Sequence, residues 1–89
     1  MTQKKQSLIE FPCSFPIKIM GDKHPAFPAK VLETVQQHAP DAEHGHMTLR
    51  DSSSGNYQSI TMPVNVGSQE HLDNIYRALT AHPMVKVVL

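Results

Sequence analysis

A single cysteine, Cys13, leaves the chain without an internal disulfide, so an oxidising compartment is not implied. A surplus of either charge is equally missing, because eight Lys and Arg offset eight Asp and Glu. The chain therefore lacks the electrostatic footprint of a dedicated duplex-binding protein. Long apolar runs are absent too, and none approaches the roughly 20 residues that cross a bilayer. The opening stretch offers only Leu8-Ile9 behind Lys4-Lys5, cut short by Glu10 and Pro12, which is no signal-peptide core. A cytoplasmic protein without a membrane segment is the expectation.

Length sets the next bound. The 89 residues make one domain, and a chain of this size buries about 60–65% of its unfolded surface. Little room remains for a deep cavity inside a monomer, and dimerisation would add buried area. Residues 1–10 read as a polar, solvated tail, leaving 11–89 as the domain.

Within the domain, Phe15, Ile17 and Ile19 alternate with Pro16 and Lys18, the period of a half-buried strand that Gly21-Asp22 ends. From Ala26 to Ala39 the period lengthens. Phe27, Val31 and Val35 with Leu32 form one helical stripe, Pro28 suits the first turn, and Pro40 stops the helix. His38 falls where the helix dipole favours a cation. A hairpin follows, with Met47 and Leu49 facing in and His46, Thr48 and Arg50 facing out. Asp51–Asn56 forms its turn, and Ile60, Met62, Val64 and Val66 face inward from the returning strand. Pro63 on that strand cannot donate to a ladder, which predicts a bulge or a locally unpaired neighbour. Ser68 is placed to cap a second helix carrying Leu72, Ile75, Tyr76 and Leu79, and Val85–Leu89 is a last strand.

The order strand, helix, strand, strand, helix, strand predicts an α+β, ferredoxin-like βαββαβ domain. Its four-stranded antiparallel sheet would carry both helices on one face, with the first and third strands central. Several stretches then match a known pattern in order: Ile9-Glu-Phe-Pro12, Phe15 to Gly21, Val35-Gln-Gln-His-Ala-Pro40, Ser53-Ser-Gly-Asn-Tyr57 and Val85 to Leu89. Together they resemble the YbeD family of small bacterial proteins of unknown function. The resemblance implies a ferredoxin-like fold similar to ACT regulatory domains, and no activity to carry over.

Known uses of this fold can be tested against the residues. Acylphosphatase-like chemistry needs an arginine fork in the loop after the first strand, where this chain has Lys23 beside a repelling Asp22. Copper chaperones need a Cys-x-x-Cys pair there, and the one cysteine lies elsewhere. RNA-recognition domains stack bases on aromatics of the central strands, whereas Tyr57 stands alone, so a nucleic-acid partner is not expected. An ACT-like small-ligand sensor would use the loop at Gly21, Asp22 and Lys23, although a tight strand-to-helix turn with Asp22 as a helix cap is the better explanation of those residues. His44 and His46 would share the outward face of a strand, yet two ligands do not make a metal site. Cys13 has no base beside it in sequence and reads as a structural thiol. The turn at Ser52–Asn56 could cradle an anion but is sufficient as a plain hairpin turn.

What remains is the outer sheet face, where Met20, Tyr57 and Val88 are the candidate interface residues among Lys18, Thr61, Pro63 and Lys86. The leading expectation is a non-enzymatic regulatory or adaptor domain, without cofactor or metal, that contacts a protein partner or a second copy of itself. A small-molecule ligand at the Gly21 loop is the alternative.

Overall fold

The computed structural model describes residues 10–89. Apart from the exposed Glu10, the expected tail with Lys4 and Lys5 lies outside the described residues. The elements are β1 (Cys13–Asp22), α1 (Phe27–Gln36), one 3-10 turn (His44–His46), β2 (Thr48–Asp51), β3 (Tyr57–Val66), α2 (Gln69–Thr80) and β4 (Val85–Val88). The strands form one antiparallel sheet in the order β2-β3-β1-β4. The expected βαββαβ order and the central placement of β1 and β3 are both present.

Alternation explains the single core. Ile17 and Ile19 on β1, and Ile60, Met62, Val64 and Val66 on β3, are fully buried beneath Phe27, Val31 and Val35 of α1 and Leu72, Ile75 and Leu79 of α2. Their sequence neighbours on the strands face away from the helices and are mostly exposed. The strand period of two and the helical stripe thus meet in one layer of apolar side chains.

Helix ends follow from local chemistry. Ser68 Oγ accepts from His71 N at 3.1 Å, capping α2 as expected. At α1 the cap position is Ala26, with Pro28 in the first turn and no side-chain cap. Asp22 belongs to β1, so it is not a cap for α1. The helix ends three residues short of Ala39, because its last turn tightens: both His38 N and Ala39 N bond to the Val35 carbonyl.

Three histidines act as acceptors for the backbone. His24 Nδ1 accepts from Ala26 N at 3.0 Å and His82 Nδ1 from Met84 N at 3.1 Å, each across a His-Pro turn. His71 Nδ1 accepts from Gly67 N at 3.0 Å, while its Nε2 meets the His38 carbonyl. Since a carbonyl only accepts, one neutral tautomer of His71 serves both contacts and ties the start of α2 to the end of α1.

No bulge forms at Pro63. The β1–β3 register runs unbroken from Cys13↔Val66 to Asp22↔Tyr57, with Pro16 directly opposite Pro63. Lys18 exchanges backbone bonds with Leu89, so even-numbered residues of β1 point their amides toward β4. Tyr57 accepts from Ser52 N, so odd-numbered residues of β3 point toward β2. Pro16 and Pro63 therefore form a pair that needs no bond between its members. Pro63 faces the side on which β2 has not yet begun, and Pro16 the side on which β4 has ended. The locally unpaired neighbour is found, and the missing donors cost nothing in the ladder.

The register break lies instead between β1 and β4. Met20 opposes Val87 while the next residue, Gly21, opposes Val85, leaving Lys86 as the extra residue of a bulge.

Candidate functional site

Gly21 lies where β1, α1 and the start of β4 converge. A Cβ built on it would overlap the Met84 carbonyl and sit 2.5 Å from the Phe27 ring. Its φ is not positive, so glycine is required here by space rather than by torsion. The bare backbone face that could have admitted a ligand is occupied by the protein's own core.

The other two residues of that loop are already paired. Lys23 Nζ is 2.7 Å from Asp51 Oδ2, and Lys86 Nζ is 3.7 Å from Asp22 Oδ2, all four side chains being about half exposed. The hydrogen bond from Lys23 holds the Asp51 carboxyl below its ordinary range. Asp51 Oδ1 also accepts from Gln58 Nε2 at 3.2 Å. Gln58 Oε1 is buried without a hydrogen-bond partner among the described residues, and Gln58 lines a groove with Lys23, His24, Pro25 and Pro28. Nothing in the sequence marks Gln58, because a lone glutamine near a turn carries no pattern.

The Ser52–Asn56 turn uses several of its amides internally. Gly55 N bonds to the Ser52 carbonyl, Asn56 N to Ser54 Oγ and Tyr57 N to Ser52 Oγ. Gly55 takes φ +79, as its place in the turn requires. His44 and His46 lie in the 3-10 turn rather than on a strand, so they do not share a strand face. No group of three or more metal-ligating side chains occurs among the described residues. Cys13 is half-buried and packs against the core.

On the outer sheet face, Met20 and Tyr57 stand as expected, Tyr57 being 46% exposed. Val88 does not. It opposes Ile19 and packs against the core, and Val87, 43% exposed, takes the outward position opposite Met20. The bulge at Lys86 is the physical reason, since one extra residue exchanges the two faces for everything after it. One row thus crosses all four strands: Val87, Met20, Ser59, Arg50. Ser59 in the middle of the row is only 8% exposed. Met20, Tyr57, Lys86 and Val87 line an apolar depression. Lys18, Met20, Arg50, Asp51, Tyr57 and Ser59 help to line a smaller one beside it.

Two helices over one face of a β2-β3-β1-β4 sheet, with the other face open, define a ferredoxin-like α+β domain. The chain belongs to the DUF493 family, described as protein of unknown function, which matches residues 6–89; this is the YbeD family that its motifs resemble. A UPF0250 protein of Neisseria gonorrhoeae is 61% identical over 87 residues, covering 98% of this chain and 96% of that one. One from Neisseria meningitidis is 59% identical over the whole of both chains, and one from Chromobacterium violaceum 49%. Among solved structures, the solution structure of protein HP0495 from H. pylori is similar, with a TM-score of 0.69 at 14% identity over 91% of this chain and 85% of that one. At that identity the likeness is one of fold alone. No described helix is long and apolar enough to cross a membrane.

Proposed function

We propose that this chain is a non-enzymatic regulatory or adaptor domain that acts by binding another protein through the outer face of its sheet. The observation that supports the reading is the apolar cluster of Met20, Tyr57 and Val87 on a face without covering helices. Side chains of this kind are enriched at the centres of protein interfaces, and an exposed apolar patch rimmed by polar groups is their usual setting. The test is affinity purification with a Met20→Asp/Val87→Asp variant beside a helix-side Glu33→Lys control. A partner retained by the control and lost by the face variant is the expected result. A partner held equally by both would overturn the reading.

A second reading, a small-ligand sensor at the β1–α1 loop, draws support from the unpartnered Gln58 Oε1 in the groove beside Lys23. Burying an acceptor without a donor is costly, and a ligand ammonium or amide would relieve it. A thermal-shift screen of amino acids checks this. A hit that survives Gln58→Leu would refute the assigned role.

A further inference from the structure

The net charge of zero conceals a local surplus on the outer face. Only two of the eight acidic residues lie in strands, Asp22 and Asp51, and both are taken by lysines, Lys86 and Lys23. Lys18 and Arg50 project from the same face, and no carboxylate lies within 4 Å of either among the described residues. Residues 1–9 contain no Asp or Glu that could serve them. Asp41 bonds to Asn65 at the opposite end of β3 from Tyr57. Lys18 and Arg50 thus border the depression that contains Met20, Tyr57 and Ser59, whose one lining carboxylate, Asp51, is held by Lys23, and which continues through Met20 and Tyr57 into the one lined by Val87.

We infer that the partner of this face is an acidic polypeptide segment that sets an apolar side chain over Met20, Tyr57 and Val87 and presents carboxylates to Lys18 and Arg50. The inference rests on the protein-contact reading above and names the chemistry of the contact. Complementary charge would set the register and hasten encounter, while apolar burial would supply most of the affinity. A nucleic acid fits less well. Its affinity comes from many phosphate contacts, and among the described residues this face offers two unpaired cations and one aromatic ring.

The test uses fluorescence anisotropy with three labelled probes: a peptide of mixed glutamate and leucine, its lysine-for-glutamate counterpart, and an oligothymidine strand. The acidic peptide should bind best and weaken as salt rises. Lys18→Glu/Arg50→Glu should weaken it about tenfold, whereas Lys30→Glu/Arg77→Glu on the helices should not. Amide shifts on binding should concentrate at Met20, Ser59 and Val87. Tighter binding of the lysine peptide or the oligonucleotide would overturn the inference. So would sedimentation showing a homodimer that Lys18→Glu/Arg50→Glu dissociates. If Met20→Asp/Val87→Asp abolishes capture of a cellular partner while Lys18→Glu/Arg50→Glu leaves it intact, the contact reading stands and the acidic partner falls.

Discussion

Gly21→Ala isolates the demand that the core makes on one backbone position. The added methyl would meet the Phe27 ring, fully buried between sheet and helix, and the Met84 carbonyl, which is fixed by accepting from Asp22 N at 3.3 Å. A backbone carbonyl cannot swing aside, so the cost belongs at the upper end of the roughly 1–3 kcal/mol that overpacking incurs. Alanine also restricts the unfolded chain, which offsets about 0.4–1 kcal/mol where the native torsions suit it. The net loss is about 2 kcal/mol, or a fall of roughly 8–16 °C in Tm for a domain of this size. Urea denaturation of the single variants and of Gly21→Ala/Phe27→Leu completes a double-mutant cycle. Trimming the ring should recover about 1 kcal/mol of the damage, with Met84 accounting for what persists. Gly21→Ala with stability within about 0.5 kcal/mol of the parent would refute the packing argument and return the glycine to candidacy as a ligand contact.

Three further outcomes follow from contacts already described. Ser68→Ala should cost about 1 kcal/mol by removing the acceptor for His71 N, read from the urea midpoint. His71→Ala removes the link between Gly67 and the His38 carbonyl and should cost about 1–3 kcal/mol; hydrogen exchange should quicken at the start of α2 rather than at β2. Asp51 titrates below its ordinary 3.8 because Lys23 bonds to its charged form. Its contribution is therefore present above that value and lost as pH falls through the depressed one. Lys23→Ala should raise the Asp51 carboxyl toward 3.8 in an NMR titration, and an unmoved titration would sink the assignment.

The strand order, both helical stripes and the Ser68 cap could be read from residue periods because each is a local pattern. The facing of β4 could not. Val85, Val87 and Val88 are all apolar, so the segment fits either face, and only the tertiary bulge at Lys86 chooses Val87 for the exterior. Sequence places Gly21 in a candidate ligand loop, whereas the groups packed against it are the Met84 carbonyl and a phenyl ring six residues along the chain, invisible to spacing rules. The charge surplus at Lys18 and Arg50 was hidden for a similar reason: composition sums charges that the fold separates. His44 and His46 failed as a strand pair because Gly45 between them lies in a tight turn instead.

The pairing of Pro16 with Pro63 bears on how this domain can associate. Each proline removes a donor where the sheet narrows from four strands to its central two, one on either side. An incoming strand that tried to extend the sheet at those places would find no N–H to accept from, the same device that keeps exposed sheet edges from templating aggregation. Growth by strand addition is discouraged on both flanks of the central pair. At those two places the contact proposed above is left the broad surface that carries Met20, Tyr57 and Val87 rather than the strand flank.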